Sequence, residues 1–300
     1  MDGGNGKNGG GGRGGYFRTD LACESPDPGA EVREELVEVG GVPATITRRR
    51  EACGGTSVTL SCGRITGRGE EELGALARLL GGELRRMAAA MTGRVVGSGL
   101  RVLAVGLGNG AMTPDAVGPH TLRRLTVTRH LRAYDEALFV SLGCCELSAL
   151  APGVMGQTGM ETGELVRAAA ELVRPHLLVA VDALAARSCD RLASTVQLSD
   201  GGISPGAGIG NHRMALTEET MGCPVLGVGV PTVVDSATLV LDALERAGML
   251  RDGELPVPLS EVLEQGRSFI VTPRDCDEMV SMTCRLLAQG LTLAFGVEES

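Results

Sequence analysis

Residues 177–182 read Leu-Leu-Val-Ala-Val-Asp, a wholly apolar run that ends in an acid. A similar run occupies 102–105, and another, interrupted by two glycines, occupies 225–230. Short apolar runs of this kind are typical of parallel strands that helices cover on both faces. Helical patterns lie between or after them, at about 115–130, 161–173 and 236–247. We therefore predict an α/β fold with a mostly parallel central sheet flanked by helices.

The flanking sequence adds further elements to this sheet. Residues 31–48 predict two strands around a turn at Gly40-Gly41, and 56–60 predict another strand. Residues 70–91 have leucines at three- and four-residue steps, which predicts an amphipathic helix. The C-terminal part carries an apolar stretch at 269–271 and a predicted helix from residue 275. We expect one α/β domain with an added β-hairpin region, and a division into two domains near residue 97 is the alternative.

The composition excludes several function classes. The 300 residues carry a net charge of −9, and the chain has no tryptophan, which argues against direct nucleic-acid binding. Lys7 is the sole lysine and lies in a glycine-rich tail, so Schiff-base chemistry and a Walker lysine are excluded. The four histidines and nine cysteines show no metal-ligand spacing, and we predict neither a metal nor a cofactor. No apolar run is long enough to span a membrane, and we expect a cytoplasmic protein.

Two aspartates follow predicted strands. Asp182 ends the run at 177–181, and Asp115 follows the run at 102–105 after a glycine-rich loop. A buried acid is costly unless it caps a helix or works in a site, and for Asp182 these two readings carry equal weight. Ligands bind beyond the carboxyl ends of strands in open α/β sheets, where both aspartates can face one cleft. Paired carboxylates share a proton, so one can activate water while the other donates a proton, which is suited to peptide hydrolysis.

The loop at 106–110 supports an alternative. It reads Gly-Leu-Gly-Asn-Gly after a predicted strand, as in dinucleotide-binding loops, although residue 111 is alanine where the pattern has its third glycine. Asp115, at the start of the next helix, would repel a pyrophosphate. An α/β nucleotide- or ligand-binding protein without proteolytic activity remains the second interpretation. A serine nucleophile at 202–206 is disfavoured, because Pro205 lacks the N–H that an oxyanion hole needs.

Several blocks of sequence, taken in order, resemble the germination proteases of spore-forming bacteria. The blocks lie at 18–24, 106–119, 151–162, 181–187, 205–211 and 228–235. The resemblance implies an atypical aspartic endopeptidase that degrades small acid-soluble spore proteins, with Asp115 and Asp182 as its catalytic pair. It also implies a fold similar to hydrogenase maturation endopeptidases, a homotetramer, and a location in the cytoplasm of the developing spore and in the spore core.

The resemblance further implies synthesis as a zymogen that removes its own N-terminal peptide. Residues 19–24, Thr-Asp-Leu-Ala-Cys-Glu, look like the acidic-then-apolar sequence at which the family cuts its substrates. We therefore predict cleavage between Asp20 and Leu21, with 1–20 as a disordered propeptide and 21–300 as a single protease domain. Nine glycines among the first 15 residues favour that disorder. Asn109, Thr113 and Gln157 are predicted to position the catalytic pair, with turn formation or capping as the alternative role.

Overall fold

A computed structural model of the protein describes residues 18–24, 27–52, 54–206, 213–249, 262 and 269–297. In this part of the chain nine strands join in one sheet. Strands β1 to β9 span Glu31–Val39, Val42–Arg50, Thr56–Ser61, Arg101–Gly106, Glu146–Leu150, Leu177–Ala186, Thr195–Ser199, Val225–Asp235 and Ile270–Val271. The predicted disorder of residues 1–15 lies outside the described residues.

The sheet is mixed, and the prediction of a mostly parallel sheet is wrong. The strand order is β1-β2-β3-β7-β8-β6-β4-β5, with β9 also beside β8. Pairing is parallel between β4 and β5, β4 and β6, and β6 and β8. All the other pairs are antiparallel. The reason is β7, which runs antiparallel to β8 and also pairs with β3, so the N-terminal hairpin extends the main sheet instead of forming a separate addition.

Helices cover both faces of the sheet, as predicted for an α/β fold. Helices α1 to α9 span Glu70–Thr92, Val117–Leu122, Arg129–Tyr134, Glu136–Leu142, Met155–Thr158, Thr162–Val173, Glu218–Met221, Ser236–Arg246 and Cys276–Phe295. The larger core packs α1, α2 and α9 against one face of the sheet. The smaller core packs α6 and α7 against the other face. None of the described helices combines the length and apolar character that a bilayer crossing needs.

Local sequence signals explain several element boundaries. The hairpin of β1 and β2 turns at Gly40 and Gly41, whose φ angles of 59° and 76° lie in the left-handed region that favours glycine. The single helix predicted over 115–130 is instead broken after α2. Thr128 explains the break, because its Oγ1 donates to Cys145 O at 2.5 Å and accepts from Leu147 N at 2.9 Å, which fixes the chain to the start of β5.

Candidate active site

The two predicted aspartates lie close to the point where β4 ends, one on the neighbouring strand β6 and the other in the turn that follows β4. β4 and β6 are neighbours, with Gly106 opposite Val181, and Leu107 N–H extends this pairing by donating to Val181 O at 2.8 Å. Asp182 is the next residue of β6. Asp115 ends a 3-10 turn, Thr113–Asp115, which follows β4. The strand pairing and the turn therefore bring together two acids that are distant in the sequence.

Glycines allow the loop after β4 to close onto Asp115. Gly108 has a φ angle of 104°, and a Cβ there would lie 2.1 Å from Asp115 O and 2.8 Å from its Oδ1. Gly118, at the start of α2, lies equally close to the strands, since its Cβ would meet Leu107 O at 2.3 Å and Val181 O at 2.5 Å. The glycine pattern that resembled a nucleotide loop thus serves close backbone packing around a carboxyl group.

Both aspartates line the same cavity, which has a volume of about 460 Å³. Its lining also includes Gly108, the β6 residues that follow Asp182, and Asp20. The remaining lining comes from Leu107, Met112, Pro114, Val154, Thr162, Pro205, Gly206, Arg213, Thr232, Val233, Ile270 and Thr272. A mostly apolar cavity with a few convergent charged groups is the usual form of a binding site.

Asp182 is buried inside a strand and does not cap a helix. β6 continues to Ala186, beyond the end predicted at residue 181, and Asp182 is only 4% exposed. Its Oδ1 accepts a hydrogen bond of 2.9 Å from Ala183 N–H. Burial raises the pKa of Asp182 well above the ordinary aspartate value, and the negative charge of Asp115 raises it further. This carboxyl therefore retains its proton at a pH where ordinary carboxyls have lost theirs.

Asp115 has a more polar environment than Asp182. Burial raises its pKa, but the Asn109 N–H, which donates to its Oδ2 at 2.8 Å, and the positive charge of Arg213 both lower it. The pKa of both acids is thus raised, with burial as the largest cause, but that of Asp115 is raised less strongly than that of Asp182. Such a pair titrates as a unit, with the first proton lost from the group whose anion is better solvated. The environment favours Asp115 as that group.

The three residues predicted to position this pair differ in their contacts. Asn109 contacts Asp115 through its main-chain N–H, and its side-chain Oδ1 accepts from Gln157 Nε2 at 2.7 Å. Gln157 therefore stabilises the loop at Asn109, and that loop in turn binds the Asp115 carboxylate. Thr113 begins the 3-10 turn, and its carbonyl accepts from Ala116 N–H at 3.2 Å, which is a turn-forming role.

The predicted cleavage sequence is docked beside the aspartates. Asp20 N–H donates to Ala185 O at 2.9 Å, and Asp20 Oδ2 accepts from Ala185 N–H at 2.8 Å. The Leu21 side chain is fully buried in a small apolar cluster with Leu184 and Ala186 of β6. The main chain at Asp20 and Leu21 thus runs along the part of β6 that follows Asp182.

A carboxylate at the end of this segment is also bound. Glu24 Oε2 accepts from Arg187 N–H at 2.7 Å, and its Oε1 accepts from Ser188 N–H at 3.1 Å. Thr19 Oγ1 donates to the same carboxylate at 2.5 Å. Side chains near both ends of 19–24 therefore fix the segment in register along β6.

Sequence reasoning missed three residues at this site. Arg213 supplies the positive charge, Thr232 Oγ1 donates to Pro114 O at 2.7 Å and fixes the turn that carries Asp115, and Gln197 contacts the docked segment. Thr232 lies within one of the blocks that carried the resemblance, which was a usable signal. Arg213 and Gln197 had none, because their role depends on contacts between remote parts of the chain.

Neither a metal site nor a phosphate site is apparent in the residues that the structure describes. They include no group of three or more His, Cys, Asp or Glu side chains arranged to hold a metal ion. The Asn109 N–H, which a nucleotide loop would direct at a phosphate, is directed at the Asp115 carboxylate. The loop therefore resembles a dinucleotide-binding loop in sequence and differs from one in its contacts.

Comparison with known proteins identifies the family. The sequence model of the germination protease family matches residues 31–248, most of the chain. The chain belongs to the germination protease family. It is 34% identical over 312 aligned positions to the germination protease of Clostridium acetobutylicum, covering 92% of this chain and 94% of the relative. It is 32% identical over 310 positions to that of Caldanaerobacter subterraneus subsp. tengcongensis, covering 93% and 94%.

A third germination protease, from Halalkalibacterium halodurans, is 51% identical over 244 positions, covering 64% of this chain and 65% of the relative. The resemblance noted in the sequence is therefore confirmed. Membership of the germination protease family makes this chain a member of a peptidase family. Asp115 and Asp182 both lie within the matched region, whereas three other residues that line their shared cavity, Asp20, Ile270 and Thr272, lie outside it.

Proposed function

We propose that this germination-protease family member is an endopeptidase that degrades small acid-soluble spore proteins during germination. We further propose that it is a self-processing zymogen of the atypical aspartic type, in which residues 1–20 are the propeptide and 21–300 the protease domain. One observation carries the proposal. The segment that contains the Asp20–Leu21 bond is docked on β6, and Asp20 lines the cavity that Asp115 and Asp182 share. Family membership supports proteolysis in general, and this geometry supports the particular residues.

The mechanism follows from the different environments of the two acids. Asp182, whose pKa burial raises most, holds the shared proton, and Asp115 is the carboxylate. Asp115 accepts a proton from water while the water oxygen bonds to the carbonyl carbon of residue 20. The C–N bond then breaks, and the leaving nitrogen of residue 21 takes the proton from Asp182. The products are a carboxyl group and an amine, and transfer of the proton from Asp115 back to Asp182 restores the pair.

The contacts of 19–24 also support the proposed substrate class. The segment presents an acid at residue 20, whose Oδ2 accepts from the Ala185 N–H, and a leucine at residue 21, which is fully buried. A substrate with an acid followed by a large apolar residue can make the same two contacts. Spore proteins bearing such sequences are the substrates that the resemblance implies.

A comparison of aspartate variants tests the proposal. The purified full chain is incubated alone and with a small acid-soluble spore protein, and the products are identified by intact mass and N-terminal sequencing. We expect cutting after Asp20 in the wild type and rates several orders of magnitude lower in Asp115→Asn and Asp182→Asn. Asp135→Asn is the matched control, because Asp135 caps α4 through Leu138 N–H and does not line the cavity. Near-normal cutting in both site variants would exclude the pair.

The quaternary and cellular parts of the proposal come from the resemblance. They are a homotetramer located in the cytoplasm of the developing spore and in the spore core. Strand β1 supports self-association, because it is an edge strand and Leu36 on it is 85% exposed. Exposed edge strands present unpaired main-chain groups and often pair with other chains. The mass in solution, measured by light scattering, tests the tetramer. The likeness to hydrogenase maturation endopeptidases stays a prediction.

A further inference from the structure

Gln197 lies in the middle of β7, between β3 and β8, and faces the docked segment. Its main-chain neighbours are Thr59 and Gly229, and it is 9% exposed. It lines a second cavity of about 330 Å³ together with Thr19, Asp20 and Ala22. Asp20 lines this cavity and also the cavity that holds Asp115 and Asp182.

The side-chain amide of Gln197 makes two hydrogen bonds to the main chain of this segment. Its Nε2 donates to Asp20 O at 3.1 Å, and its Oε1 accepts from Ala22 N–H at 2.6 Å. Asp20 O is the carbonyl oxygen of the bond that we propose is cut. The two contacts therefore flank that bond, one on the carbonyl itself and the other on the second residue after it.

We propose that Gln197 is a catalytic residue that holds the peptide main chain on both sides of the bond being cut, an inference that rests on the proposed function. Its Nε2 donates to the carbonyl oxygen on which negative charge develops when water adds. Its Oε1 accepts from the N–H two residues after that carbonyl. Because both contacts are to main-chain atoms, spore proteins of different sequence can use them equally.

Burial and hydrogen-bond chemistry support this role. A buried amide needs partners for both its N–H groups and its oxygen, and a peptide main chain supplies a matching acceptor and donor. A donor already aimed at the carbonyl strengthens its hydrogen bond as the oxygen becomes charged, which lowers the barrier for the addition of water. The paired contact also resembles the bonding of an added strand, in which main-chain hydrogen bonds provide affinity.

Arg49 supports the same segment from β2. Its Nη1 donates to Ala22 O at 2.9 Å, so the main chain of Ala22 is held at its N–H by Gln197 and at its carbonyl by Arg49. The Arg49 contact is to the next peptide group along, which is further from the bond that is cut. It therefore contributes to binding the segment and not to stabilising the oxyanion, which leaves that role to Gln197.

Substitutions at Gln197 test the proposal in the full chain. Gln197→Leu removes both the donor and the acceptor, and Gln197→Glu keeps only acceptors. Ser199→Ala is the matched control, because Ser199 lies two residues along β7, lines the same cavity and accepts from Gly201 N–H. We expect both Gln197 variants to cut between Asp20 and Leu21 about 10²–10³-fold more slowly, and the control to cut at the wild-type rate.

A peptide analogue isolates the second contact. A peptide of residues 16–27 is offered to the self-processed chain, in parallel with an analogue whose Leu21–Ala22 amide is replaced by an ester, which lacks the Ala22 N–H. We expect the wild type to prefer the amide in kcat/KM by about tenfold, which corresponds to one hydrogen bond, and Gln197→Leu to show no preference. Equal preference in both chains, or wild-type rates in Gln197→Leu, would overturn the proposal.

Hydrogen exchange separates this inference from the proposed function. If the wild-type chain cuts neither itself nor the peptide, the proposed function fails, and the exchange of the Ala22 amide still reports on the contact. Faster exchange of that amide in Gln197→Leu than in Ser199→Ala would support main-chain binding by Gln197. Equal exchange in the two variants would contradict it.

Discussion

Asp182→Asn is expected to remove activity and at the same time stabilise the fold above about pH 4. The pKa of Asp182 is raised well above 3.8 in the folded chain by burial and by the charge of Asp115. In the unfolded chain the carboxyl titrates near 3.8, so below that pH both states carry the proton and the group has no effect on stability. Between 3.8 and the raised value, the folded chain holds one proton more than the unfolded chain.

The size of the effect follows from this difference in bound protons. The wild-type free energy of unfolding falls as pH rises through this window, by at most about 1.4 kcal/mol per pH unit. Asparagine has the same shape and cannot ionise, so the variant escapes this loss. Its advantage is therefore near zero at pH 3, grows with pH, and becomes constant above the folded pKa of Asp182.

Denaturant unfolding of both chains from pH 3 to pH 8 measures the effect. Asp135→Asn is the control, since this exposed cap of α4 keeps a side chain that can accept from Leu138 N–H. Asp135 does not line the cavity that holds Asp182. In an Asp115→Asn background the gain from Asp182→Asn should be smaller, because the charge that raises the pKa of Asp182 is gone. A variant that loses stability relative to the wild type as pH rises would refute the reasoning.

Three further substitutions probe the site. Arg213→Ala should move both limbs of the pH–rate profile to higher pH, because Arg213 lowers the pKa of both aspartates; an unmoved profile would contradict this. Gly108→Ala should lower the free energy of unfolding by more than about 1 kcal/mol and should slow cutting, because the φ angle at Gly108 is 104° and Asp115 leaves no room for a Cβ. Gly82→Ala in α1 is the control and should be neutral or stabilising, because a Cβ there would meet nothing within 4 Å. Leu21→Asp should slow cutting after residue 20 by undocking the segment, seen as increased protease sensitivity there; unchanged cutting would show that the buried contact is dispensable.

The sequence predicted the elements of the fold better than their arrangement. The apolar runs at 102–105 and 177–181 form strands, as predicted. A strand that helices cover on both faces is apolar at every position, and this pattern is visible in the sequence. That β7 inserts between β3 and β8 depends on contacts between remote segments, which no local pattern records. For the same reason the prediction of a mostly parallel sheet failed, although three of the four strands in its parallel part, β4, β6 and β8, were located correctly and β5 alone among them had no predicted counterpart.

In the candidate site, too, individual residues could be predicted and their contacts could not. Asp115 and Asp182 could be nominated from the sequence because a charge beside an apolar run is unusual in itself. Which of them ionises more easily could not be predicted, since this depends on how deeply each carboxyl is buried and on the hydrogen bond that Asp115 accepts from the Asn109 N–H. The docking of 19–24 could not be predicted either, because Asp20 and Ala185, which contact each other, are far apart in the sequence.

Asp20 connects the docking of the segment to the chemistry of the pair. Its negative charge is among the causes that raise the pKa of Asp182, after burial and the charge of Asp115. Under the proposed function this charge leaves with residues 1–20 after the first cut, so the pKa of Asp182 falls and its proton is held less tightly. A substrate with an acid at the corresponding position restores the charge when it binds. An acidic residue before the cut would then assist catalysis as well as recognition, because it helps Asp182 keep the proton that the leaving amine requires.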